Sequence, residues 1–101
     1  GARMYRETNE FVQNVYTVKI NNMHERPHSY LIKVEGDGAF KIRGYRPLEL
    51  EAGEVFTVPI RVSVPKDDLR MSKSVISFVV TASDNEAITA HEETSFIGPA
   101  K

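Results

Sequence analysis

Apolar and polar residues alternate along several short runs of the chain, a pattern that is typical of half-buried β-strands. The first clear run is NVYTVKINN, residues 14–22. Its apolar positions share one predicted face and its polar positions the other: Tyr16, Val18 and Ile20 opposite Thr17 and Lys19. The two asparagines that end the run predict a turn, because asparagine tolerates left-handed backbone and bonds to its own main chain.

Later segments repeat this alternation and predict further strands: residues 29–36, 39–43, 48–54, 55–64, 75–83 and 87–96. The GDG triplet at residues 36–38 predicts a hairpin turn, and Pro59 predicts a bulge or an edge position, because proline lacks a backbone donor. Residues 64–73 leave room for one short helical turn. Seven or so short strands with regularly spaced turn signals predict an all-β fold, an immunoglobulin-like antiparallel β-sandwich.

The composition fits one globular domain and narrows the chemistry that the chain can support. Its 101 residues are 41% hydrophobic, and a chain of this length can bury one core without disulfides or metals. The net charge of −1 does not indicate the basic surface that nucleic-acid-binding proteins carry. Because there is no cysteine, the chain can hold no disulfide, thiolate metal site or iron–sulfur cluster. It also lacks the Cys–Trp–Cys set of antibody domains.

The start of the chain is interpreted as belonging to a fragment. Residues 1–2, Gly-Ala, are typical of the remnant that tag removal leaves. Residues 3–101 are then predicted to form one immunoglobulin-like domain cut from a larger protein. The longest uncharged run, residues 74–83, has about half the length of a membrane-spanning helix.

One loop carries a candidate metal site. The stretch MHERPH places His24 and His28 four residues apart, with Met23 alongside. Imidazole and thioether donors together suit copper. The competing interpretation is that His24 is an ordinary solvated loop residue and that His28 packs at the start of a strand. The third histidine, His91, is expected to be an exposed strand residue.

No sequence signature of an enzyme is found. No serine lies in a nucleophile elbow, and there is no cysteine nucleophile. The neighbouring pairs Asp67-Asp68 and Glu92-Glu93 would point to opposite faces of a strand, so they do not form a convergent carboxylate pair. The nine aromatic residues are spread over the predicted strands, which favours core packing over an exposed sugar-binding platform.

Four stretches resemble the C-terminal domain of FixG-type proteins, the cytochrome c oxidase accessory proteins also called CcoG. They are YRETNEFVQNVYTVKINN at residues 5–22, PHSYLIKVEG at 27–36, LEAGEVFTVPIRV at 50–62 and SFIGP at 95–99. The resemblance covers nearly the whole chain. Its most specific parts are YRE, the NVYTVKI run and the closing FIGP.

This resemblance implies a parent protein with several membrane helices and two four-iron clusters, none of which lie on this chain. The domain would sit on the periplasmic face of the bacterial inner membrane, with Arg3 and Arg6 near the lipid headgroups. The family is linked to assembly of the cbb-type haem–copper oxidase through reduction of cupric copper. No redox residue transfers to this chain, because the cluster cysteines belong to other parts of the parent.

Three functions of different classes follow as expectations. The first is a non-catalytic periplasmic interaction and assembly domain, whose partner would be an oxidase subunit or a copper-delivery protein. The second is a copper-binding domain that uses His24, His28 and Met23. The third, by fold analogy alone, is a carbohydrate-binding or adhesin module. The first predicts an exposed apolar patch or an unprotected edge strand, and the third predicts exposed coplanar aromatic rings.

Overall fold

The computed structural model of the chain describes residues 5–100, which form two packed four-stranded sheets. The strands are β1 (Arg6–Glu7), β2 (Phe11–Asn21), β3 (His28–Gly36), β4 (Lys41–Arg43), β5 (Glu49–Leu50), β6 (Val55–Pro65), β7 (Lys73–Ala82) and β8 (Asn85–Ile97). The first sheet has the order β1-β2-β6-β4 and the second the order β5-β3-β7-β8, and every pairing is antiparallel. The predicted all-β sandwich is confirmed, with eight strands instead of seven.

The alternation in the sequence sets the inward face of each long strand. On β2, Val12 and Ile20 are buried, and on the paired strand β6 the buried residues include Ile60, Val62 and Val64. The second sheet contributes further large side chains of the core, among them Tyr30, Ile32, Ile76, Phe78 and Phe96. Burial of these side chains stabilises the sandwich, since each apolar group removed from water favours folding. The predicted faces of residues 14–22 and 29–36 are confirmed.

The GDG triplet is not a hairpin turn. Strand β3 before it lies in the second sheet, whereas β4 after it lies in the first, so residues 36–38 carry the chain from one sheet to the other. Gly38 has a φ of +140°, a conformation that side chains with a Cβ rarely adopt. A Cβ on Gly36 would lie only 2.9 Å from the Phe40 ring. The glycines therefore serve a crossover and a close packing contact.

Two local predictions are met in modified form. Pro59 pairs with Thr17 of β2 with no register shift, so there is no bulge. However, β4 pairs with β6 only at residues 61–63, which leaves Pro59 on a stretch with a partner strand on one side. The short helical turn expected in residues 64–73 is a 3-10 turn at Lys66–Asp68.

Asn22 is buried and hydrogen-bonds to several segments of the chain, although the sequence predicted an ordinary turn residue. Its side chain is fully buried at the end of β2. Its Nδ2 donates to the carbonyl oxygens of Arg26, Leu50 and Glu51 at 2.9, 3.0 and 3.1 Å. Its Oδ1 accepts from the Tyr30 hydroxyl at 3.0 Å and from the backbone of His24 at 3.2 Å. One amide therefore joins the end of β2, in the first sheet, to β3 and β5 of the second sheet and to the histidine loop.

Candidate functional site

One side of the sandwich has two unpaired strand edges facing each other. Strand β8 is the last strand of its sheet. Strand β2 pairs with β1 only at Val12 and Gln13, so beyond that point it has β6 as its partner and no strand on its other side in residues 5–100. The two edges run antiparallel in opposite sheets, because Asn14 contacts Ile97 and Tyr16 contacts Ser95. Unpaired edges of this kind expose backbone donors and acceptors.

Two polar side chains close one end of this opening. The Asn14 amide donates to the carbonyl oxygen of Ile97 at 2.8 Å and accepts from its N–H at 2.9 Å, so it replaces a neighbouring strand. The Tyr16 hydroxyl donates to the carbonyl oxygen of Ser95 at 2.8 Å. Burial raises the pKa of Tyr16 to about 12, so this hydroxyl stays protonated and able to donate at physiological pH.

Beyond Tyr16 the sheets separate into a groove of about 490 Å³. Its apolar lining comes from both sheets: Phe78 is buried, whereas Tyr16, Val18, Val80 and Ile88 are only half-buried. Ala90 and Glu92 pair with Val80 and Phe78, so they face inward, yet both are exposed. Lys19, His24 and His91 also border the opening. The groove thus combines an apolar floor with two free strand edges.

The histidine loop lies at the far end of this groove, where β2 leads into β3. His24 is exposed and His28 is buried, with their rings in edge-to-face contact at 5.4 Å between centroids. The rings of the two candidate donors are therefore in contact. Met23 is 82% exposed and borders the groove beside His24.

Asp84 fixes the orientation of the His28 ring, a partner that sequence reasoning missed. Nδ1 of His28 lies 2.8 Å from Oδ1 of Asp84. Because a carboxylate only accepts, Nδ1 carries the proton, and the lone pair of the neutral ring is on Nε2. The hydrogen bond from His28 also holds the pKa of the Asp84 carboxyl below its usual value. The two residues are 56 positions apart, so no local spacing could have revealed the contact.

The lowered pKa of Asp84 has a defined effect on stability. A carboxyl whose pKa is lower in the folded than in the unfolded state stabilises the fold above its unfolded pKa, which is about 3.9. That contribution is lost as the pH falls through the lower, folded pKa. The Asp84–His28 contact therefore persists at neutral pH and weakens only in acid.

The described residues give less support to a sugar-binding platform or to a metal site with three ligands. All nine aromatic side chains lie within residues 5–100 and each is buried or half-buried, so an exposed sugar-stacking platform is not formed. His91 is exposed on β8, as expected. Within the described part of the chain, no three His, Cys, Asp or Glu side chains are grouped to hold a metal ion. No helix among these residues is long and apolar enough to cross a membrane.

Comparisons with known proteins agree with the fold. A family model described as "IG-like fold at C-terminal of FixG", a protein that the description classes provisionally as an oxidoreductase, matches residues 1–99. The chain is similar to the crystal structure of a FixG-related protein from Vibrio parahaemolyticus, with a TM-score of 0.76 and 30% sequence identity over 85% of this chain and 78% of that one. No curated protein matches the chain. The chain therefore belongs to the family of immunoglobulin-like domains found at the C-terminus of FixG.

Proposed function

We propose that the chain is a non-catalytic interaction and assembly domain of a membrane-bound iron–sulfur protein, on the periplasmic face of the bacterial inner membrane. Membership of the FixG C-terminal family supports the link to such a parent. The observation that carries the proposal is the open side of the sandwich, where β2 and β8 present free edges beside an apolar groove. Free edges and apolar grooves are common docking sites for protein partners.

In this proposal the iron–sulfur clusters of the parent are held by residues outside this chain. Iron–sulfur clusters are held mainly by cysteine thiolates, and the chain has no cysteine. Copper reduction for assembly of the cbb-type oxidase would take place in the membrane and cluster-bearing parts of the parent. The domain would bind an oxidase subunit or a copper-delivery protein and hold it near those parts.

This division of labour predicts separate effects on reduction and on assembly. In the full-length parent, we expect exchange of residues 5–100 for an unrelated β-sandwich of similar size to leave reduction of cupric copper by the purified protein unchanged. The amount of assembled oxidase in membranes should fall, because the docking surface is lost. Loss of copper reduction in the exchanged protein would show that the domain takes part in the redox step. Unchanged oxidase levels would contradict an assembly role.

A second candidate function is transient copper binding by the histidine loop, favoured by the contact between the His24 and His28 rings. Asp84 holds Nδ1 of His28, an arrangement that orients metal-binding histidines in many proteins. Met23 adds a soft thioether donor that suits cuprous copper. In this function copper is cargo, passed to or from the parent.

Calorimetric titration of the chain with cuprous and cupric copper tests this second function. We expect saturable binding that His24→Ala weakens strongly, whereas His91→Ala, which removes an exposed histidine on β8, leaves it unchanged. Met23→Leu should weaken cuprous binding more than cupric binding, because the thioether is the softer donor. His28 is a poor first target, because it is 4% exposed and its loss would disturb the fold. Equal binding by the His24 and His91 variants would rule out the loop site.

A further inference from the structure

We propose that the groove between β2 and β8 binds an extended segment of a partner protein, which pairs with the β8 edge as an added strand and places a basic side chain against Glu92. The inference rests on the proposed function and deepens it, because it assigns the docking surface and the chemistry of the segment that docks there.

The backbone of β8 is suited to strand addition. The strand is 13 residues long and, in the described part of the chain, pairs only with β7. It contains no proline and no lysine, the residues that commonly block edge pairing. Its single register irregularity lies at the Thr81/Ala82 end, away from residues 88–94. Alternate N–H and C=O groups along this stretch are therefore available to an incoming strand.

The groove has room for the inward side chains of an added strand. Ile88, Ala90 and Glu92 are successive inward positions on β8, and the small Ala90 leaves space between the other two. Val18 on β2, across the gap, and Val80 on β7, the pairing partner of Ala90, are both only half-buried. An apolar side chain placed opposite Ala90 would cover these residues and remove apolar surface from water, which favours binding.

Glu92 selects the charge of the segment. Its carboxylate faces inward at the edge and makes no hydrogen bond or ion pair within residues 5–100. A purely apolar strand would bury this charge without a partner, which is costly. A strand with Lys or Arg at the matching position neutralises it. An inward charge of this kind blocks indiscriminate edge pairing and admits a complementary partner.

The charges on β8 also disfavour a second copy of the chain as the occupant. The strand carries Glu86, Glu92 and Glu93 and no lysine or arginine. Pairing two β8 edges would gather the carboxylates of both copies along one short ladder, and like charges that face each other are destabilising. A basic segment from a different protein avoids this repulsion.

A peptide titration followed by NMR tests the proposal directly. The probe is a blocked peptide of sequence Thr-Lys-Thr-Val-Thr-Val-Thr, whose lysine meets Glu92 when its valines meet Ala90 and Ile88 in antiparallel register. We expect amide shifts confined to residues 17–21 and 86–94, with slower hydrogen exchange on the β8 edge. The same peptide with glutamate for lysine should bind about tenfold more weakly or worse, because like charges would then meet.

Charge reversal provides the matched control. Glu92→Lys should reverse the preference between the two peptides, whereas Glu93→Lys makes the same change on the outward face of β8 and should largely keep the original preference. Absence of binding, equal binding of both peptides or shifts on another surface would overturn the proposal. So would β8 shifts on concentration alone, which would make a second copy the occupant. If the peptide fails but exchange of the domain still lowers oxidase levels, the proposed function survives without this surface.

Discussion

Replacing Asn22 by aspartate is expected to lower the free energy of unfolding by about 3–5 kcal/mol, the usual effect of an uncompensated buried charge. The substitution preserves shape but exchanges the amide donor for an acceptor. That acceptor would face the carbonyl oxygens of Arg26, Leu50 and Glu51, all of which now receive Nδ2. A domain of this size has only about 5–15 kcal/mol of stability in total. The loss would therefore be visible as a large shift of the urea midpoint.

Asn21→Asp is the matched control for this experiment. It makes the same chemical change one residue earlier, where the side chain is exposed, and should change stability by less than about 0.5 kcal/mol. The difference between the variants should narrow in acid, because the protonated carboxyl at position 22 regains one donor. Similar midpoints for the two variants at neutral pH would mean that the Asn22 hydrogen bonds contribute little.

Phe96→Ala is expected to cost about 3–5 kcal/mol, the range for removing a large aromatic side chain from a core. The ring is completely buried and packs edge-to-face on Phe40, with centroids 5.1 Å apart. Its loss removes apolar contacts from both residues and leaves a cavity where the last strand crosses the core. Thermal unfolding should show a fall in Tm of roughly 4–8 °C for each kcal/mol lost.

The control for Phe96→Ala is Val75→Ala, since Val75 is 62% exposed on the outer face of β7. The free energy of unfolding of this variant should stay within about 0.5 kcal/mol of that of the unsubstituted chain. A double-mutant cycle with Phe40→Ala should give a coupling of about 0.5–1.5 kcal/mol between the rings. An effect of Phe96→Ala no larger than that of the control would contradict the assignment of Phe96 to the core.

Period-two alternation was a reliable guide to the strands because burial on one face imposes it directly. Tyr30, Ile32 and Val34 turned inward, as their spacing required. The GDG triplet misled, because a glycine turn has the same local chemistry whether the next strand joins the same sheet or the opposite one. Which of the two occurs depends on pairing between distant segments, and that pairing leaves no mark in three residues.

The two asparagines of residues 21–22 show a signal that was present but misread. Counting by two from Tyr16 through Val18 and Ile20 reaches Asn22, so the alternation itself points this side chain inward. The interpretation of the asparagine pair as a turn hid this position on the inward face. A polar residue that occupies an inward position in the alternation of a strand is therefore a candidate for a buried side chain that hydrogen-bonds to distant segments.

The candidate site could be predicted only in part. The sequence identified His24 and His28 as candidate donors but did not determine their relative geometry, and in the structure their rings are in contact. The Asp84 partner and the inward exposure of Glu92 depend on how the two sheets separate along one side. That separation is a property of the assembled sandwich, and a lone glutamate on a strand has the same sequence context whether it faces a groove or solvent.

The antiparallel course of β2 and β8 also determines the distance between the histidine loop and the strands at which the chain enters and leaves the fold. Strand β1, the start of β2 and the end of β8 lie at one pole of a body 48 Å long, since Asn14 binds Ile97 there. The histidine loop follows the other end of β2, 11 residues away, a span of about 35 Å at 3.3 Å per residue. The histidine loop therefore lies about one domain length from the strands β1 and β8, through which the chain enters and leaves the sandwich.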